Sequence, residues 1–444
     1  MIMKKAYLFI VSVLLAASVN AQATRLDEWL GCNARDAIIR EYWNGDQVAF
    51  IQQEDRNYFV LHKEASGQLV FASAPKNVRV TDFELTRGTV YFCGVAYEGE
   101  VRKAMIGRFD VAPLFSGSGD FNFCLLPPSV SEGALNYGLE EPQRIALFLA
   151  DDGFVHVAGV GRMHTDQPDE RSTVFDVYYD ESLNWHYKML YNKDNWDEFL
   201  DVAATADHVV VAGRSLTDSV VTYHVYHQSP SFLDWGVAGS AHISSRLEGE
   251  RSANGKVFVS AMDANKFALS YQNGSDVRIA HLSISYPVLA SNIISLSSIA
   301  NPDIPMQYAL HDMRYAKDAK NVGLLLNGVG RNLSSKYYHV DLVAASATRI
   351  DMAGSGLAAL DNDGSVGFHI LGISYAYDAA PLRYINVDYT LPISTCLPSH
   401  AVNVTPIQYK QKIGHKTEDP VFGFELEIHI MPEIEMKAIN NICR

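Results

Sequence analysis

The sequence predicts an all-β chain built from one small antiparallel sheet repeated along its length. Three observations carry this. A β-branched and aromatic run bounded by turn residues recurs in one register, further short strands stand on either side of each copy, and helical periodicity is nearly absent. The clearest copies read Gly88-Thr-Val-Tyr-Phe-Cys-Gly94, Gly153-Phe-Val-His-Val-Ala-Gly159 and Asp207-His-Val-Val-Val-Ala-Gly213. Looser copies follow at Gly255 to Ala261, Asn321 to Asn327 and Ser365 to Gly372, and Gly45 to Ile51 supplies a first copy.

A strand precedes these runs, as in Val80 to Leu85, Ile145 to Ala150 and Phe199 to Ala204. A third strand follows at Lys103 to Asp110, Thr173 to Asp180, Val220 to Gln228, Lys336 to Leu342 and Leu382 to Thr390. The unit repeats every ~40–65 residues, the spacing of four-stranded blades. One such sheet cannot bury both of its faces, and packing twisted sheets radially removes the problem. Runs of Val, Phe, Leu and Ala suit a strand covered on both sides.

Counting the central runs gives seven, starting near 45, 88, 153, 207, 255, 321 and 365. At the fifth, Phe267 to Gln272 and Val277 to Ile284 form a second hairpin around Asn273-Gly274, so strand labels there can shift by one. The pattern from Asp36 to Thr390 resembles the β-propeller superfamily of Kelch-like and WD40-like repeats and reads as a seven-bladed ring, with six or eight blades as alternatives. A pair of β-sandwich domains is the competing arrangement. The likeness is architectural: Gly-His…Trp-Asp pairs, recurrent Gly-Gly and Ser-x-Asp-x-Gly-x-Thr-Trp boxes are absent, so it carries no activity with it.

The two ends stand outside the repeat. Lys4 and Lys5 precede an uncharged run from Ala6 to Val19, and Val19-Asn20-Ala21 supplies small residues for a signal peptidase, so residues 1–21 read as a secretory leader. The propeller is expected over 22–393. Residues 394–444 are expected to supply one or more closing strands or a small appended element, the segment near Trp29 being the other candidate for ring closure.

Charge and cysteine content narrow the function. The chain carries −15, and Lys4 and Lys5 leave with the leader, so the processed chain is more acidic still. With no basic stripe, nucleic-acid binding is set aside. No second long apolar run suggests a transmembrane span in the mature chain. Five cysteines follow the leader, in a compartment where disulfides persist. Their spacing gives no C-x-x-C, and placement suggests bridges Cys93–Cys124 and Cys396–Cys443, with a bridge from Cys32 to the tail as the competitor.

Recognisable catalytic and cofactor motifs are missing, and no cofactor is expected. His224 and His227 fall three apart on a strand and so face opposite sides, which argues against a shared metal. Asp361-Asn362-Asp363-Gly364 and Asp151-Asp152-Gly153 lack the downstream ligands of a calcium loop and read as acidic turns. Asp218-Ser219-Val220 resembles an O-glycosylation acceptor of exported bacterial proteins.

One region departs from the compact unit. Arg162 to Arg171 joins the second and third strands of its repeat, and Tyr191 to Asp197 leads into the next, so both emerge on one face. That gathers His164, Asp166, Arg171 and Trp196 as a candidate recognition surface. The expectation is an exported, non-enzymatic scaffold binding a protein or glycan in the periplasm or at the cell surface. The alternative is a carbohydrate-active hydrolase or lyase with its site at the central channel.

Overall fold

Seven antiparallel sheets follow one another along the chain and stand in a ring, a seven-bladed β-propeller. The computed structural model describes residues 24–430 apart from isolated positions and the segments 31–33, 127–129, 133–134, 166–170, 180–184, 191–196, 228–241, 285–288, 297–307, 316–319, 330–333, 354–357, 363–366, 374–381, 389–398, 408–409, 417–420 and 427–428. From the channel outward, blade 1 is Asp36–Glu41, Gln47–Gln52, Asn57–Lys63 and Gln68–Ala74. Blade 2 is Val78–Thr86, Thr89–Glu98, Val101–Asp110 and Asn122–Leu125. Blade 3 is Leu135–Leu149, Val155–Thr165, Arg171–Tyr179 and Trp185–Leu190. Blade 4 is Asp197–Ala204, His208–Ser215, Val220–His227 and His242–Arg251. Blade 5 is Val257–Asp263, Lys266–Asn273, Asp276–Ser283 and Leu289–Leu296. Blade 6 is Tyr308–Tyr315, Asn321–Gly328, Ser334–Asp341 and Ser346–Ala353. Blade 7 is Ala358–Asn362, Gly367–Ile373 and Leu382–Asp388. The recurring run is the second strand of its blade everywhere except blade 5, where Val257–Asp263 is the inner strand and the labels shift by one.

The apolar runs are continuous because each blade has a neighbour on both faces. Successive side chains of a strand point to opposite faces. On blade 4, Val209 and Val211 pack toward Phe148, Val160 and Val174 of blade 3, while Val210 and Ala212 pack toward Val257, Phe267 and Leu269 of blade 5. The described residues accordingly form one apolar cluster per blade boundary rather than a single central core.

The glycines that close the repeat answer to a bulge. In blades 2, 3, 4 and 6 the inner strand shifts register just before Asp82, Arg144, Asp201 and Asp312. The bulge drives a carbonyl onto the second strand: a Cβ on Gly94 would lie 2.0 Å from Arg79 O, and one on Gly213 2.0 Å from Glu198 O. Only glycine admits that approach. In blade 3 the equivalent contact falls on Gly161, beneath Glu141 and Pro142, while Gly159 abuts the Phe175 ring.

The two ends of the chain are used differently. Thr24–Leu30 pairs with Leu382–Asp388 and supplies the outer strand of blade 7, with Trp29 stacked on Tyr384. The tail runs back around the ring as a belt. Ser399–Val402, Val404–Ile407, Lys410–Lys416, Val421–Leu426 and His429–Ile430 add a fifth strand, in that order, to blades 6, 5, 4, 3 and 2. Each pairs antiparallel to the outer strand it covers. Every step across a twisted sheet turns the strand by ~20–25°, so four steps from the channel leave the belt lying along the circumference. That is why a single residue suffices between Val402 on blade 6 and Val404 on blade 5.

The Cys93–Cys124 bridge expected from sequence does not form. Cys93 pairs with Ile106, and Ile106 pairs with Cys124, so a whole strand separates the two. Two strand spacings, ~9.5 Å, exceed the ~7 Å limit for a disulfide. Both are buried free thiols whose pKa burial pushes up. Cys32, Cys396 and Cys443 lie outside the described residues, as do residues 1–23. Among the described residues no helix is long and apolar enough to cross a membrane.

Candidate functional site

Blade 3 overshoots the ring. Its inner strand has 15 residues and its second strand 11, against 6 and 6 in blade 1. The excess lies before the bulge, where the inner strand begins about five residues earlier than its counterparts, an extension of ~16 Å. There Tyr137, Gly138 and Leu139 pair with Thr165, His164 and Met163, and Val130–Glu132 adds a further short strand along Leu135–Tyr137. Register shifts between Leu139 and Glu141 and between Pro142 and Arg144 separate this projection from the part of the strand that belongs to the ring. Pro142 sits at the irregularity, where its missing N–H costs no ladder bond.

Two of the four recognition residues read from sequence fall on this projection. His164 pairs with Gly138, and Arg171 opens the third strand opposite Met163, so the backbone brings His164 and Arg171 to neighbouring strands one position out of register. Asp166 and Trp196 lie outside the described residues.

The base of the projection holds an ionic cluster. Arg162 Nη2 and Arg102 Nη2 donate to Glu141 Oε2, the latter at 2.7 Å, and Arg79 Nη1 lies 3.5 Å from Oε1. Arg102 also lies 3.6 Å from Glu140. Burial pushes the Glu141 carboxyl up, but the hydrogen bonds and charges of Arg162 and Arg102 outweigh it and hold the group below the usual carboxylate range. Glu141 is 7 % exposed at its side chain, whereas Arg79, Arg102 and Arg162 are 42, 33 and 38 % exposed. The cluster joins blades 2 and 3, and only Arg162 was legible as part of a recognition segment. Pro142, in the polar stretch Glu140-Glu141-Pro142-Gln143-Arg144 just before the apolar run from Ile145, is the signal that a bulge stands there.

Whereas blade 3 projects, the channel is concave. A cavity of about 430 Å³ opens at the far ends of six inner strands. Blades 1, 2 and 6 give it a charged wall of Arg40, Glu41, Glu84 and Arg314, while blades 3, 4 and 5 give apolar groups such as Leu147, Ala203 and Met262. Glu84 receives Arg40 Nε at 2.9 Å and Arg314 Nη1 at 3.3 Å. Arg40 Nη2 donates to Asp82 at 2.7 Å.

The carboxylates that follow the bulges are outside the cavity wall. Asp82 accepts the Ile145 N–H at 3.0 Å and Asp201 the Val259 N–H at 2.8 Å, each tying its blade to the next. Burial pushes Asp201 up to about 7 against the charge of Arg144 and the Val259 hydrogen bond. Asp312 is pushed up by burial, but Arg314, Arg144 and Arg40 outweigh that and lower it.

Histidines prominent in the sequence serve the blades. His156 contacts both Asp176 oxygens at 3.0 Å and Asp152 at 3.1 Å, stacked between Phe148 and Tyr178. His224 meets Asp197 at 3.0 Å. Among the described residues no group of three or more His, Cys, Asp or Glu is placed to hold a metal ion.

No protein-family model matches the chain, and no curated protein matches it. Among solved structures it is similar to Hsv2 of Kluyveromyces lactis, at 11 % identity and a TM-score of 0.40, covering 84 % of this chain and 99 % of that one. It is also similar to a protein of unknown function from Dyadobacter fermentans, at 11 % identity and a TM-score of 0.36, covering 82 % and 99 %.

Proposed function

We propose that this propeller is an exported, non-enzymatic scaffold in the periplasm or at the cell surface, engaging a protein or glycan partner through the projection of blade 3. The observation that carries the reading is the projection itself: a strand pair that continues past the ring, where it contributes nothing to ring closure. Rigid scaffolds place their recognition elements at such edges. The secretory leader read over residues 1–21 supports export. The ion pairs of the channel support a structural use of its Glu84, which is engaged by Arg40 and Arg314 of two other blades.

Capture of a partner from the native compartment, followed by quantitative binding, tests the reading. Trp196→Ala and Arg171→Ala should each weaken binding by about 1–3 kcal/mol with the circular dichroism spectrum unchanged. A double variant that binds as well as the parent ends it.

A second reading has one observation in its favour. The channel cavity falls in the size range of small-ligand sites, and Glu41 and Glu84 line it, as a carbohydrate-active hydrolase or lyase would require. Turnover of a polysaccharide that Glu84→Gln abolishes in a folded chain would replace the first reading with this one.

A further inference from the structure

We propose that Ser219, in the turn between the second and third strands of blade 4, is a glycosylation acceptor whose hydroxyl takes a sugar from an activated glycosyl diphosphate outside the cytosol. This rests on export as read above and does not depend on the partner.

The turn runs from Ser215 to Val220 and lies on the same face of the ring as the projection, since each joins a second strand to a third. Leu216, Thr217 and Asp218 are exposed, and Ser219 is half-buried. Ser219 has a φ of 59°, in the left-handed region where glycine is free of strain and Asn or Asp is the usual substitute. Backbone preference therefore does not account for a serine. Its N–H donates to Ser215 O and its carbonyl accepts the Ser252 N–H, both at 2.9 Å, as those of any residue could. Its Oγ makes no hydrogen bond among the described residues, so local hydrogen bonding does not account for a serine either.

The groups around Ser219 have structural uses. Ser215 is buried, and its Oγ lies 2.8 Å from Thr217 Oγ1 and accepts the Thr217 N–H at 3.3 Å. Asp218 accepts the Val220 N–H at 3.3 Å and is paired with Arg246, while Val220 is buried in its blade. The carboxylate before the acceptor is thereby fixed, the apolar residue after it is anchored, and the Ser219 hydroxyl is left over. Asp218 is the one aspartate of the chain followed by Ser or Thr, so the Asp-Ser-apolar order occurs once, at an exposed hairpin tip. A sugar added there meets water rather than protein, and the blade need not open to receive it. In the transfer, Ser219 Oγ bonds to the anomeric carbon of the glycosyl diphosphate as the bond from that carbon to the phosphate oxygen breaks. The diphosphate leaves with the electron pair, and the hydroxyl proton passes to a base of the transferase.

Mass spectrometry of the full chain produced in the cell it comes from tests the site, by intact mass and by site-localising fragmentation of the peptide Ser215 to Arg246 released by cleavage after arginine. The exported chain should exceed the mass of the processed polypeptide by whole sugar residues, with a sugar localised to Ser219. A chain lacking residues 1–21 should carry none. Ser219→Gly removes the hydroxyl and suits the left-handed backbone, so it should fold as the parent does and lose that sugar entirely. Asp218→Asn should lose most of it. An exported chain of unmodified mass, a sugar on Thr217 in place of Ser219, an increment that survives either substitution, or one carried by the leaderless chain overturns the proposal. If the full chain stays in the cytosol, the export reading fails and the proposal fails with it; if it is processed, exported and unmodified, the proposal alone fails.

Discussion

Replacing Asp201 with Asn isolates the cost of a charge held beside the channel. Asp201 follows the bulge of blade 4, is 9 % exposed and accepts the Val259 N–H from blade 5. Burial dominates its surroundings and lifts the carboxyl from 3.8 to about 7, with Arg144 and the Val259 hydrogen bond opposing. A raised carboxyl means that the folded chain keeps a proton the unfolded chain releases. Its contribution to stability is therefore complete below about pH 4 and is lost as pH rises to about 7. Roughly three pKa units at ~1.36 kcal/mol each set the scale at about 4 kcal/mol. Asn keeps an oxygen for Val259 and carries no charge. Denaturant unfolding of both chains between pH 4 and pH 8 should show the variant gaining on the parent through this window, by up to about 4 kcal/mol, and then levelling. Parallel stability curves would refute the reasoning, because they would mean that Asp201 ionises in the folded chain as easily as in the unfolded one.

Other outcomes follow from the same geometry. For His156, burial lowers the pKa but Asp176 and Asp152 outweigh it and raise it above 6.5; its stabilisation is full below pH 6.5 and fades as pH passes the folded value. An NMR titration should place the midpoint above 6.5, and His156→Phe should cost about 3–5 kcal/mol, with a cost under ~1 kcal/mol contradicting the pairing. Gly213→Ala sets a Cβ 2.0 Å from Glu198 O and should destabilise by about 1–3 kcal/mol in chemical unfolding; a neutral result would mean that the bulge relaxes freely. Ending the chain at residue 398 should leave the β spectrum intact but produce oligomers on size exclusion, because the outer edges of blades 2 to 6 lose their covering strands. A monodisperse truncated chain would show that the belt protects nothing.

The ring was legible because a strand buried on both faces must be apolar at every position, as Val209 to Ala212 are. Glycines closing the repeat were legible as a pattern, but their cause was not, since the carbonyl that crosses Gly94 belongs to Arg79 on the preceding strand. The projection was visible as an overlong connection containing His164 and Arg171. The arginine cluster was not, because its members stand 62, 39 and 21 residues from Glu141 and only pairing between blades brings them together. Placement of Cys93 and Cys124 in one repeat suggested a bridge, yet sharing a sheet differs from sharing adjacent strands. The belt left no repeat to read: its strands run from two to seven residues and match edges far away in the chain.

That belt makes the ring mechanically uneven. It crosses four blade boundaries, from blade 6 through blade 2, and among the described residues it does not reach blades 1 and 7. Five blades thus form a C-shaped clamp reinforced along its outer rim. The two jaws of the clamp are blades 6 and 2, and Arg314 of one meets Glu84 of the other at 3.3 Å inside the channel. The ion pair acts as a tie rod across the gap, and Arg40 of blade 1 is hooked onto the same carboxylate. Blades 1 and 7 fill the opening like a wedge, held among the described residues by the apolar clusters they share with blades 2 and 6 and with each other rather than by a belt strand.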